Sequence, residues 1–279
     1  MGGRHIGMGL VDNDGRISYK KIVKLDETNR SEEGIFNCIR EYVDEHAEKA
    51  DSVGIGVPGI IRNNQIIYTA NLPLQNVDVA SYVGSRLPLY VGNDASCATI
   101  AEYHFIDKKM YSNYALVTIG TGIGAGIILN GNLYNGSTGA AGEVGHMVID
   151  KDGIQCNCGR RGCYEKYGSI SSLLKKTNTE SLKEFFYLLD RNENIGKVFD
   201  EYLENVAEGL ANIINLYDLE MLVIGGGIAW FSDKFIHTLK SKVASKILNR
   251  YTYDLNMRCA ELGNDAGIIG ASLLSQYEE

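Results

Sequence analysis

Four side chains with the chemistry of metal ligands fall within one short run. They are His146, Cys156, Cys158 and Cys163 in GAAGEVGHMVIDKDGIQCNCGRRGCYEKYGS, residues 139–169. Three thiolates and one imidazole complete a tetrahedral zinc set, and a set with no open position marks a structural rather than a hydrolytic ion. Glycines at 145, 153, 159 and 162 let the run fold tightly, and the segment is too polar to be core. Two carboxylates flank the ligands: Glu143 lies three residues before the histidine and Glu165 two after the last cysteine. Held by the metal, they are placed to face one small polar ligand.

A second group centres on Asp94, which follows Asn93 at the end of a short predicted strand, just ahead of an alanine-rich helix. A carboxylate there can accept the proton of a hydroxyl that attacks a phosphoryl group, or it can simply cap the helix. Asn71 and Asn93 can likewise be turn residues. Together, Asn71, Asn93, Asp94, Glu143, His146 and Glu165 supply the mixed acceptors and amides that a ring of sugar hydroxyls requires. Three glycine-rich turns, Gly2-Gly3, Gly120–Gly126 and Gly225–Gly227, let backbone N–H groups approach phosphate oxygens, which points to a nucleotide. The middle turn has no Gly-Lys-Ser/Thr after it and leads into a hairpin, so it is neither a P-loop nor a dinucleotide fingerprint.

These residues need elements to carry them. Ile6–Val11 and Arg16–Leu25, joined at Asp12-Asn13-Asp14-Gly15, read as a hairpin. Ser31 caps a helix with the apolar stripe Ile35, Ile39, Tyr42, Val43 and Ala47. A strand at Val53–Val57, a hairpin at 59–70 and a helix at 79–87 follow, then the strand Leu89–Val91 and the helix from Ala95. The second half opens with the strand Tyr114–Ile119 and a type I′ hairpin at Asn130-Gly131. Further on come a helix at 199–217, a buried strand at Met221–Ile224, a helix at 232–248, a strand at 257–262 and a last helix after Asp265. Hairpin-linked strands give way twice to strands alternating with helices, which predicts two α/β lobes with a cleft between them.

Composition narrows the partners. With 279 residues, 44% hydrophobic and 22% charged, the chain is long enough for two domains and ordinary for a globular protein. A net charge of -8 without a basic cluster predicts no nucleic-acid partner. The absence of a long apolar run predicts no membrane partner, and the expected location is cytoplasmic. Cys38, Cys97 and Cys259 stand alone in apolar patterns and read as free buried thiols.

The segments VDNDGRI, VGIGVPGII, ANLP, VGNDAS, TIGTGIGAGIILNG, GAAGEVGHM, CNCGRRGCYE and VIGGGIA resemble the ROK family of repressors, open reading frames and sugar kinases over nearly the whole chain. Glu-x-Gly-His followed by Cys-x-Cys-Gly-x-x-Gly-Cys-x-Glu is the most specific part. The resemblance implies an actin-like ATPase (ribonuclease H-like) α/β fold, with a small lobe of residues 1–103 plus 265–279 and a large lobe of residues 104–264 that carries the zinc loop. It implies ATP, Mg2+ and a structural Zn2+, and phosphorylation of a hexose, glucose foremost, at its 6-hydroxyl. Asp94 would be the general base. Asn71, Asn93, Glu143, His146 and Glu165 would hold the sugar, His146 while also ligating zinc. Gly2, Gly3, Arg4, Gly120, Thr121, Gly122 and Gly124 would lie along the phosphates, and Gly225, Gly226 and Gly227 would border the adenosine. A homodimer is the expected assembly.

Three departures from the family pattern bear on activity. The aspartate of Asp-x-Gly-Gly-Thr and the strand before it are absent, Arg4 stands in place of the threonine, and the sequence is expected to be short at its start. Gln75 sits near a usual tryptophan, and Ser96 replaces a usual asparagine. The alternatives are therefore an N-acetylmannosamine or N-acetylglucosamine kinase, or a catalytically weak sugar-binding regulator.

Overall fold

The computed structural model describes Met1, residues 5–248 and residues 256–277. The chain divides into two compact units, one of Met1–Met110, Asn132–Ala141 and Asn264–Glu279, the other of Tyr111–Gly131 and Gly142–Gly263.

In the first unit His5–Val11 pairs antiparallel with Ile17–Lys24, the hairpin expected from the Asp-Asn-Asp-Gly turn. The helix Glu32–His46 starts at Ser31, whose Oγ accepts the Gly34 amide at 3.1 Å, with Glu32 and Glu33 at its positive end. Its buried face is Ile35, Phe36, Ile39, Tyr42, Val43 and His46. Val53–Val57 runs parallel to Leu89–Asn93, while Ile60–Arg62, Gln65–Tyr68 and Gln75–Asp78 form a separate antiparallel sheet. Among the described residues these pairs do not merge into one sheet, so His5–Val11 and Val53–Val57 each have a ladder partner on one side. The helix expected at 79–87 ends at Val83, because Gly84 takes a left-handed conformation with φ 60°.

In the second unit, strands Ile123–Leu129, Tyr114–Ile119, Met221–Gly225 and Met257–Cys259 lie side by side in that order. The first two are antiparallel and the last three parallel. All five residues of Met221–Gly225 are buried, as a central strand covered on both faces requires. Asn130 and Gly131 both take positive φ, 52° and 79°, as a type I′ turn demands. The long helix begins at Glu193 rather than 199, since Asn192 Oδ1 accepts the amides of Asn194 and Ile195. Tyr202, Val206, Leu210 and Ile213 from its apolar stripe enter the core. The region expected as one helix at 232–248 is a 3-10 helix, Gly227–Lys234, followed by an α-helix, Ile236–Lys246. The break falls at Phe235, whose φ of -146° lies outside the helical range. No helix among the described residues is long and apolar enough to cross a membrane.

Candidate functional site

The four expected zinc ligands converge. Their donor atoms all lie within 4.8 Å of one another, with Cys156 Sγ 3.8 Å from His146 Nδ1 and Cys158 Sγ 3.5 Å from Cys163 Sγ. Donors bound at about 2.0–2.3 Å around one tetrahedral ion are separated by distances of this size. The donor set therefore fits Zn2+. The backbone sets the geometry: Val148 bridges Cys163 and Gln155 bridges Arg161 in antiparallel fashion, while the amides of Ile149 and Tyr164 donate to Gly162 and Met147 at 2.9 and 2.7 Å.

The ring of His146 divides its two nitrogens. Nδ1 faces the cysteines, while Nε2 lies 3.9 Å from Glu143 Oε2 on the solvent side. One histidine can thus ligate an ion through Nδ1 and offer Nε2–H to a polar ligand beside Glu143.

Glu165 opens the short helix Glu165–Gly168, which is fixed at both ends by buried tyrosines. Tyr164 donates from its hydroxyl to the Val206 carbonyl at 3.0 Å, and Tyr202 donates to the Gly168 carbonyl at 2.9 Å. The Glu165 carboxylate accepts the Ile123 amide hydrogen at 3.1 Å. It also stands where a Cβ on Gly122 would collide with it. A second tie comes from the Ile170 amide, which donates to the Gly120 carbonyl at 2.8 Å. The zinc segment and the Gly120-Thr121-Gly122 turn are therefore one connected structure. The residue order places both but does not link them, because the two ties join residues that are far apart in the chain.

The glycine turns are close neighbours. Gly120–Gly122 closes the hairpin between Ile119 and Ile123, with the Gly120 amide bonded to the Gly122 carbonyl at 2.9 Å. Gly124 continues into the strand, its carbonyl accepting from Thr118 Oγ1 at 3.3 Å, and Thr121 is exposed at the tip. Gly226, at φ 80°, passes so near the Ile119 backbone that any Cβ would collide with its carbonyl. Gly225 and Gly227 flank it at the end of the central strand. Gly2, Gly3 and Arg4 lie outside the described residues.

In the first unit Asn93 and Asp94 join the strand Leu89–Asn93 to the helix Asp94–Ala101. The cap is Asn93: its Oδ1 accepts the amides of Ala95 and Ser96 at 2.8 and 3.2 Å, and its Nδ2 donates to the Gly59 carbonyl at 3.0 Å. Asp94 shares the Ala95 amide with Asn93, and the Ser96 amide goes to Asn93, so the cap is carried chiefly by Asn93. Burial pushes the Asp94 carboxyl above its ordinary pKa, opposed by the Met1 amine and by the Ala95 amide that it accepts at 2.9 Å. Asn71 is exposed, and its carbonyl accepts from Arg30 at 3.0 Å.

The sequence profile of the ROK family matches residues 1–278, and the chain belongs to that family. A glucokinase of Halalkalibacterium halodurans is 30% identical over 100% of this chain and 94% of its own length. A xylose repressor of Bacillus spizizenii is 32% identical over 79% of this chain; the match spans 59% of the repressor. The structure of a ROK family glucokinase from Streptomyces griseus in complex with glucose and AMPPNP aligns with a TM-score of 0.83 at 27% identity, covering 98% of this chain and 96% of that one. The fold is the mixed α/β, actin-like fold of the family, with a His/Cys cluster suited to its zinc loop.

Proposed function

We propose that the protein is an ATP-dependent sugar kinase that transfers the γ-phosphoryl group to the 6-hydroxyl of a hexose, glucose foremost. Asp94 carries the reading. It is a carboxylate at a strand end with the cap carried chiefly by Asn93, and burial has raised its proton affinity. Such a group suits the acceptance of a hydroxyl proton as the oxygen attacks phosphorus. Glu143, His146 Nε2 and Glu165 would hold sugar hydroxyls, and the zinc ligands would keep the first two of these in register. The Gly120–Gly122 turn would lie along the phosphates, and Gly225–Gly227 along the nucleoside. Magnesium, when bound, would offset charge on the transferring group. The test is ADP release, coupled to a reporter, over glucose, mannose, N-acetylglucosamine, N-acetylmannosamine and fructose. ADP formation with glucose supports the reading, and turnover confined to an N-acetylhexosamine would move the substrate.

The similarity to a xylose repressor favours a second reading, a sugar-binding regulator without turnover. Sugar binding by calorimetry with no ADP formed from any of the five sugars would establish it in place of the kinase.

A further inference from the structure

The turn that carries Asn71 is held along its backbone by two side chains. Thr69 is buried, and its Oγ1 donates towards the Leu72 carbonyl at 2.6 Å and the Leu74 carbonyl at 3.1 Å. One hydroxyl hydrogen thus serves two acceptors on the far side of Asn71. The Arg30 guanidinium donates to the carbonyl of Asn71 itself at 3.0 Å. These carbonyls of Asn71 and Leu72 are consecutive, so both peptide units that follow the Asn71 α-carbon are tied down. Leu72 and Leu74 fix the same segment from below, because both enter the core of the first unit. Asn71, between the buried Thr69 and the buried Leu72, is exposed.

The same brace sets Asn71 against Asn93. Gly59, at φ 145°, passes so close to the turn that an added Cβ would collide with the Tyr68 carbonyl and press on Thr69 Cγ2. The Gly59 carbonyl in turn accepts from Asn93 Nδ2 at 3.0 Å. A continuous path of contacts therefore runs from Asn93 through Gly59 to Thr69 and on to the backbone around Asn71, all within the first unit. An amide carried on a backbone ordered in advance gives up less freedom when a ligand arrives, which strengthens binding without adding a contact.

We infer that Thr69 is a positioning residue for sugar binding: its hydroxyl, with Arg30 beside it, fixes the backbone of Asn71 so that the side-chain amide stands ready for a sugar hydroxyl, in register with Asn93 and Asp94. The inference rests on the sugar-kinase reading, with Asn71 among the sugar ligands, and deepens it. The hydroxyl touches no substrate and acts through Asn71. Loss of one such hydrogen bond corresponds to about three- to tenfold in affinity.

The experiment is a double-mutant cycle read by calorimetry on the intact chain. The probe is the tightest binder among glucose, mannose, N-acetylglucosamine, N-acetylmannosamine and fructose. Thr69→Val keeps the shape and removes the donor, and it is expected to weaken sugar binding about three- to tenfold with the ATP KM unchanged. Thr69→Ser keeps the donor and should restore most of the loss. Arg30→Met alters an exposed side chain, should weaken binding in the same direction, and supplies the comparison should Thr69→Val fail to fold. In an Asn71→Ala background neither substitution should cost further affinity, because the group they position is gone. Parental sugar affinity in folded Thr69→Val and Arg30→Met, or an undiminished loss in the Asn71→Ala background, would overturn this inference and leave the kinase reading standing. Parental affinity in Asn71→Ala would remove Asn71 from the ligand set and the inference with it. Absence of sugar binding by the parent would overturn both.

Discussion

Glu165 Oε2 accepts the amide hydrogen of Ile123 at 3.1 Å. A residue read as a sugar ligand thereby closes the base of the turn read as a phosphate cradle. The contact requires Gly122, because a methyl group there would occupy the position of the carboxylate oxygen. Gly122→Ala is expected to push the carboxylate off the amide and raise the KM values for sugar and ATP together, each by roughly tenfold, the size of one charge-assisted hydrogen bond. Steady-state kinetics with each substrate varied in turn checks this. A rise confined to ATP would show that Glu165 does not serve the sugar.

The division of labour at 93 and 94 separates stability from turnover. Asn93→Ala removes a cap that accepts two amides and should lower stability by about 1 kcal/mol, measured by urea denaturation. Asp94→Asn should leave sugar binding nearly intact while lowering kcat on the order of 10²-fold or more. Equal damage to binding and rate would make Asp94 a structural residue.

The same carboxyl sets the acid limb of the pH profile. Its folded-state pKa is raised by burial, so the ionised base disappears at a higher pH than an ordinary carboxylate would allow. Activity is expected to fall as pH drops through that raised value, and the limb should vanish from the residual activity of Asp94→Asn. A kcat profile flat down to the ordinary aspartate range would contradict it.

Zinc uptake should be proton-linked. In the metal-free segment burial pushes the Cys163 thiol up to about 12, whereas the Arg160 backbone amide lowers Cys158. The ion must displace protons from the thiols, so its affinity is expected to rise with pH and to weaken as the solution is acidified. Competition against a chromogenic chelator at several pH values measures this. Cys158→Ala should lose the ion and raise sugar KM more than ATP KM, because the same cluster fixes His146 and Glu143.

The two glycine turns meet at one point. Gly226→Ala would combine a positive φ with a collision against the Ile119 carbonyl, and a loss of at least about 1–3 kcal/mol is expected in thermal or chemical unfolding. A variant as stable as the parent would mean that the turn relaxes freely.

Much of this was legible in residue order. The zinc set could be read because its donors are close in sequence and chemically unambiguous, and the strands because apolar runs end at glycines. The capping assignment could not, since Asn93 and Asp94 are both good caps and only backbone geometry decides between them. The bond from Glu165 to Ile123 spans 42 residues and leaves no local pattern.

Cys163, Tyr164 and Glu165 are consecutive: one belongs to the His/Cys donor cluster, one is wholly buried and bonded to the Val206 carbonyl, and one reaches Ile123. Each neighbour is the other's ruler. A single residue inserted after Tyr164 would swing the acid by about 100° around the helix axis while leaving the anchor where it is. The stretch is therefore constrained in length as well as in residue type.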